Sequence, residues 1–168
     1  MAIIRVTADG WLFAHGKRFI CALGKTGTRP DKREGDGATP EGAWPLRAVF
    51  YRADRILPPV TRLPLSPIMR EDGWCDDSTH PDYNRRIKLP HPARHEILWR
   101  EDSLYDLILV LGYNDAPVVA GKGSAIFMHV ARPGWAPTEG CVALAPMDLR
   151  DILAMATPGD AVTVTGPR

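Results

Sequence analysis

Apolar and polar residues alternate in short runs along the first two dozen positions. Residues 2–8 (AIIRVTA) and 11–15 (WLFAH) carry the period-two pattern of half-buried strands. They flank Asp9-Gly10, a dipeptide that favours a type I′ hairpin turn, and residues 17–24 (KRFICALG) extend the pattern into a third strand. Further strands are predicted at 46–52 (LRAVFYR), 104–112 (LYDLILVLG), 117–120 (PVVA), 124–131 (SAIFMHVA) and 160–165 (DAVTVT). The period changes to that of a helix only at 146–156 (PMDLRDILAMA). There Pro146 suits the first turn, Asp148 complements the N-terminal dipole, and Leu149, Ile152, Leu153 and Ala156 form one apolar stripe. Thr157-Pro158-Gly159 ends it.

Two stretches break the pattern. Residues 24–46 (GKTGTRPDKREGDGATPEGAWPL) form a polar Gly- and Pro-rich loop too long for a mere connector, and loops of that size are usually functional. Residues 58–92 are irregular and rich in Pro, Asp and Arg, with Trp74 and Tyr83 as packing anchors. Without repeats or linkers, residues 1–168 are expected to form one domain. Its class is mainly β (α+β), a sandwich or partly closed barrel with one main helix near the C-terminus.

Composition narrows the function. The 168 residues are enough for a core without metal or disulfide staples, and 45% are hydrophobic. With 21 basic against 20 acidic residues, the net charge of +1 gives no electrostatic case for nucleic acid or an anionic membrane as partner. Arg5, Asp9 and Gly10 interrupt the first apolar run, so no secretory leader is expected and the chain reads as cytoplasmic. A periplasmic location is expected only if an export signal has been trimmed. Cys21, Cys75 and Cys141 cannot all pair within the chain, and none stands in a CxxC spacing.

The chemistry concentrates in residues 126–149. His129 lies in an apolar strand, and Cys141 follows Gly140 and precedes Val142 and the helix start. A Cys and a His brought together suit thiol acyl transfer: the imidazole lowers the thiol's pKa and returns a proton to the leaving amine. Glycine before the nucleophile permits a sharp turn that aims backbone N–H groups at an oxyanion. Against this stands the ordinary behaviour of a small buried cysteine and a core histidine. Arg132, Arg29 and Lys32 are candidates for gripping substrate carboxylates, and Trp135, in the loop ARPGWAPTEG, for walling the site. Asp31, Glu34 and Asp36 read as a solvated acidic turn. His91 and His95 have the spacing of a zinc pair on a helix, but no third ligand follows at a recognisable interval.

Thr138-Glu139-Gly140-Cys141-Val142-Ala143-Leu144, preceded by His129, resembles the Ser/Thr-His-Gly-Cys signature of the L,D-transpeptidases, the YkuD-like catalytic domains. Residues 24–46 are similar to that family's Asp-Lys-x-Glu-Gly-Asp…Thr-Pro-x-Gly loop, and GSAIFMHVA to its His-bearing strand. WCDDSTHPDYNR (74–85) and Tyr113-Asn114 resemble one branch of it.

The resemblance implies a β-sandwich-like fold, Cys141 as nucleophile and His129 as base. It further implies that the Val130 carbonyl orients His129, that Thr138 supports the turn, and that amides of Glu139, Gly140 and Cys141 hold the oxyanion. The implied partners are peptidoglycan tetrapeptide stems, cut between the L-centre of a diamino acid and a terminal D-alanine, with carbapenem-type inhibitors as plausible ligands and no cofactor or metal. Glu139 stands where many members carry His, Ala143 where many carry Arg or Asn, and the His-to-Cys interval is short. These departures and the absent leader favour hydrolysis (an L,D-carboxypeptidase of peptidoglycan recycling) over cross-linking or D-amino-acid exchange. The competing expectations are a catalytically silent module that holds wall peptides and a metallopeptidase built on His91 and His95.

Overall fold

A computed structural model describes residues 3–168. Strands β1 (Ile3–Thr7), β2 (Trp11–Ala14) and β3 (Lys17–Ala22) form a meander. Ala2, where the expected first strand begins, lies outside the described residues. The first hairpin differs from expectation. Thr7 pairs with Trp11, which leaves a three-residue loop ending on Gly10 at φ 85°, the geometry of a type I turn closed by a left-handed residue. The two-residue turn with both φ positive lies instead at His15-Gly16, between Ala14 and its partner Lys17.

The long polar loop holds the two-residue strands β4 (Thr28–Arg29) and β5 (Thr39–Pro40), which pair with each other. β6 (Gly42–Tyr51) starts four residues before the expected strand, because Gly42–Pro45 already pair with the C-terminal strand. β7 (Leu65–Pro67), β8 (Asp72–Cys75), β9 (Arg86–Lys88) and β10 (His95–Ile97) follow within and just beyond the stretch read as irregular. Then come β11 (Leu107–Leu111), β12 (Phe127–Val130), β13 (Val142–Leu144), helix α1 (Pro146–Met155) and β14 (Ala161–Thr165). No strand forms at 117–120. The Asn114 side chain bonds both the N–H and the C=O of Val119 and folds that segment into a turn.

The main sheet runs β11-β12-β13-β3-β2-β1-β14-β6-β7, and β11 also pairs with β6, closing it into a barrel. The expected partly closed barrel is thus fully closed, and no described helix is long and apolar enough to cross a membrane.

Two cores lie on the two faces of β11 and β12. Leu107, Leu109, Leu111, Met128 and Val130 join Ile4, Val6, Leu12 and the Leu149, Ile152 and Leu153 stripe of α1 inside the barrel. Ile108, Val110 and Phe127 face outward into a second core with Trp74, Leu98, Tyr105 and Cys141. A strand covered on both faces has no polar side, which explains the unbroken LILVL of β11.

The cover over the second core is a separate antiparallel sheet, β10-β8-β9. Trp74 of β8 meets Phe127 edge to face at 5.0 Å. Asp72 pins this sheet. Its fully buried carboxylate accepts from Arg86 and Lys88, both at 2.6 Å, and from the Met69 amide at 2.7 Å. Burial alone would raise its pKa, but these donors outweigh it and hold the carboxyl below the usual range. Asp72→Ala is expected to cost about 2–3 kcal/mol in urea unfolding at pH 7. Because the folded pKa is the lower one, that stabilisation is present above the unfolded carboxylate range and fades as pH falls through the folded value. Parallel melts at pH 7 and in acid check this: the gap between wild type and variant should narrow in acid.

Candidate active site

β12 places His129 and Phe127 on its outer face, since residues two apart share a face. β13 runs parallel beside it, with Met128 opposite Val142 and His129 opposite Ala143, so Cys141 arrives just before the strand begins. The Cys141 thiol donates to the Ala125 carbonyl at 3.2 Å, and its sulfur accepts the Phe127 amide at 3.4 Å. His129 is buried, and its Nδ1 lies 2.9 Å from the Val130 carbonyl, which fixes Nδ1 as donor and leaves Nε2 as the basic nitrogen. Both side chains line one cleft of about 430 Å³ between the barrel wall and the small sheet.

The turn before Cys141 is built for close approach. Gly140 sits at φ 136°, and a Cβ there would come 2.7 Å from the Ala38 carbonyl, so no larger residue fits. The Thr138 hydroxyl donates to the Cys141 carbonyl at 2.7 Å and accepts the Gly140 amide at 3.1 Å. Gly140's N–H is therefore engaged within the turn, whereas the amides of Glu139 and Cys141 have no hydrogen-bond partner among the described residues. The Glu139 side chain turns outward to Lys25 at 2.9 Å.

The charge states differ from the sequence expectation. Burial, together with the negative charge of Glu96, pushes the Cys141 thiol up to about 12. Burial also takes His129 down to about 4; the Val130 carbonyl opposes this, while the Arg100 and Arg132 charges add to it. The resting pair at neutral pH is a thiol and a neutral imidazole, not an ion pair, because both side chains are buried. His129 Nε2 is thus free to accept a proton.

Among the candidate carboxylate grips, Arg132 and Lys32 line the cleft and Arg29 does not. The Lys32 ammonium is buried and pairs with Asp36 at 2.8 Å, under the Gly140 turn. Asp36 also accepts the amides of Arg33 and Ala38, and Glu34 accepts from the hydroxyls of Tyr83 and Ser124. Glu34 and Asp36 are therefore an internal brace for the long loop and not part of a solvated face, whereas Asp31 is exposed as expected. Trp135 sits on a single 3-10 turn (Pro133–Trp135) and projects beside Trp11, Arg18 and Ile20, away from the cleft.

Sequence reading missed four residues of the site. Asn84 accepts from Trp74 Nε1 and the Ala125 amide and donates to the carbonyls of Tyr113 and Asn114, tying the small sheet to the residue that receives the thiol proton. Glu96, Arg100 and Tyr105 line the cleft. The Tyr105 hydroxyl donates to Glu96, and its ring packs edge to face on His129 at 5.4 Å. Their only sequence signal was the charged and aromatic run HEILWREDSLYD, which carries no recognisable spacing.

His91 and His95 do not come together. His95 lies in β10 with Nδ1 on the Ala93 carbonyl, whereas His91 joins His80 and Asp82. In that trio the Nδ1 atoms of His80 and His91 accept the backbone amides of Asp82 and Ala93, and His91 Nε2 lies 3.1 Å from Asp82. Metal-bound imidazoles normally donate from their second nitrogen. Rings that accept there are arranged as a hydrogen-bonded clasp on the loop.

Cys141 and His129 thus open on one cleft of a closed barrel, under a small sheet. The sequence profile of the YkuD L,D-transpeptidase catalytic domain matches residues 3–164, and the chain belongs to that family. No curated protein matches it at a significant level. Among solved structures, it is similar to L,D-transpeptidase 1 of Mycobacterium tuberculosis, with 12% identity and a TM-score of 0.44 over 99% of this chain and 62% of that one. An L,D-transpeptidase of Mycobacterium smegmatis gives 14% identity and a TM-score of 0.45 over 98% and 58%. L,D-transpeptidase 3 of M. tuberculosis, solved with a faropenem-derived adduct, gives 14% and 0.44 over 98% and 60%. The chain spans about three-fifths of the length of these structures.

Proposed function

We propose that the protein is a cysteine acyl-transfer enzyme that cleaves the L,D bond before the terminal D-alanine of peptidoglycan tetrapeptide stems, with water as the principal acceptor. The observation that carries this reading is the cleft on which Cys141 and a Val130-oriented His129 both open. In the forward step His129 Nε2 takes the thiol proton as Sγ bonds to the scissile carbonyl carbon. The oxyanion meets the unengaged amides of Cys141 and Glu139. Collapse breaks the C–N bond, and the His129 proton passes to the departing amine of D-alanine. Water then adds to the thioester with His129 again as base, and the thiol recovers its proton.

Arg132 supports the substrate assignment: its guanidinium lies on the cleft wall, matched to a carboxylate such as that of the leaving residue. The departures at Glu139 and Ala143 support water over an amine acceptor. Glu139 is tied outward to Lys25, and Ala143 offers the cleft no polar group to hold a second peptide.

The test is incubation of the protein with a stem tetrapeptide, with and without excess D-methionine, followed by mass. Loss of one alanine, unchanged by D-methionine, supports the hydrolase. A D-methionine-exchanged product assigns transpeptidation to the same site, and absence of both products favours a silent peptide-binding module. A carbapenem is expected to add covalently to Cys141 in the same assay.

The pH profile follows from the buried imidazole. Turnover needs neutral His129, so kcat/KM should rise as pH increases through about 4 and stay level to neutrality. An acid limb near 6.5, the ordinary histidine value, would contradict the buried imidazole. Far-UV circular dichroism at each pH separates this from acid unfolding.

A further inference from the structure

Three Lys and Arg side chains line the cleft, and two of them, Arg100 and Arg132, act on His129. The third, Lys32, has a different place. Its side chain leaves the long loop and packs across Gly123, where a Cβ would come 3.0 Å from Cε, and it ends beneath the turn before Cys141. Nζ lies 3.3 Å from the point a Cβ would occupy on Gly140, so the two glycines together leave room for the ammonium. Lys32 is only 5% exposed. Of its three donors, one goes to Asp36 at 2.8 Å and a second makes a long contact with the Arg33 carbonyl at 3.4 Å. The third has no partner among the described residues.

As a brace alone, a buried ion pair is a poor choice. The hydration lost by an enclosed ammonium and carboxylate largely offsets their attraction, and apolar side chains of equal volume often hold a loop as well. Asp36 needs the amides of Arg33 and Ala38 besides to satisfy its carboxylate. What sets this pair apart is its position. Two charges from different elements act on the Cys141 thiol: Glu96 of β10 opposes its ionisation, whereas Lys32 of the long loop favours it, together with the Phe127 amide. The other titratable groups nearby, Tyr105 and His129, are both neutral at neutral pH.

We infer that the Lys32 ammonium, enclosed behind the Gly140–Cys141 step, is the fixed positive charge that stabilises the anion formed when the thiol attacks. Its role is electrostatic, and it does not grip a substrate carboxylate as the sequence suggested. The inference deepens the acyl-transfer reading and takes the reacting site from it. In that step the thiol proton passes to His129 Nε2, Sγ bonds to the carbonyl carbon, and the negative charge moves from sulfur to the carbonyl oxygen. An ammonium already in place behind the turn, in surroundings of low polarity, stabilises both anions without having to reorganise. Asp36 holds it there.

The first experiment needs no substrate. Cys141 is alkylated with iodoacetamide at pH 7 and followed by peptide mass, in Asp36→Asn and in Lys32→Met/Asp36→Asn, with circular dichroism confirming that each is folded. Both carry the same asparagine, which still accepts a backbone amide, so they differ in the side chain that bears the ammonium. Only thiolate reacts, and Asp36→Asn is expected to react roughly 10-fold faster than the double variant. The double variant should also be slower than wild type, which keeps the inference testable if Asp36→Asn does not fold. Equal rates in the two variants overturn the inference. So does a double variant no slower than wild type, since a loop that was merely braced by the pair would loosen and expose the thiol.

Turnover of a stem tetrapeptide gives the second readout. Lys32→Met/Asp36→Asn should lose roughly 10–100-fold in kcat, with KM within about threefold of wild type. A raised KM at unchanged kcat makes Lys32 a carboxylate grip and overturns the inference. The alkylation difference, found in a protein that cleaves no tetrapeptide, upholds the inference for the sulfur anion and removes the acyl-transfer reading. Cleavage with kcat unchanged in the double variant does the reverse.

Discussion

Cys141→Ala is expected to lower turnover of a stem tetrapeptide by roughly 10⁴-fold or more while the barrel remains folded. In the proposed mechanism the sulfur is the atom that bonds to the acyl carbon, and neither other cysteine lines the cleft: Cys21 faces the barrel core, and Cys75, at the end of β8, packs with Ile87 and Ala93. The structural cost is modest. The variant frees the Ala125 carbonyl and the Phe127 amide from their contacts with Sγ, for about 1–3 kcal/mol, and loses little packing volume. Peptide mass spectrometry after carbapenem treatment gives an independent readout, with the adduct on wild type and none on the variant. Full turnover by Cys141→Ala would end the thiol mechanism outright.

The second large effect is expected at His129. His129→Ala should lose roughly 10²–10⁴-fold in kcat, because with the thiol held up to about 12 there is almost no spontaneous thiolate at neutral pH. The substitution opens a space beside Tyr105, whose ring packs on the imidazole. Added imidazole should enter that space and restore part of the rate, a readout that a purely structural role for His129 does not produce. Near-normal turnover without imidazole sinks the assignment of His129 as base. The comparison also tests the burial of the imidazole: the wild-type acid limb near pH 4 should be replaced, in the rescued variant, by one near the titration of free imidazole.

The two effects have a common origin in the second core. Phe127, Trp74 and Tyr105 pack in the core that buries Cys141, Tyr105 also packs on His129, and burial is what keeps both groups neutral at rest. A change that loosens the small sheet, such as Asp72→Ala, therefore admits water to the cleft as well as costing stability, and should shift the acid limb upward.

Local pattern alone was enough to place the meander at the N-terminus, the apolar β11, the His129 strand, the α1 stripe and the final strand. Each has neighbours in sequence that state its period, and the resemblance of residues 24–46, 123–131 and 138–144 pointed to Cys141 and His129 for the same local reason. β13 escaped notice because three apolar residues run straight into a helix, leaving no alternation to read. β8, β9 and β10 escaped because strands of three or four residues carry less than one full repeat, and their burial comes from the barrel face beneath them.

What only the tertiary structure decided is the environment of the site. Barrel closure by β6 on β11 and the capping of its outer face by a sheet drawn from residues 72–97 bring Glu96, Arg100 and Tyr105 to Cys141, 36 residues away in sequence at the nearest. Long-range placement of this kind leaves no trace in local periodicity. Burial, charge pairing and resting protonation are properties of everything packed around a side chain, so the sequence by itself singled out the candidate pair and the fold determined its surroundings and its charge state.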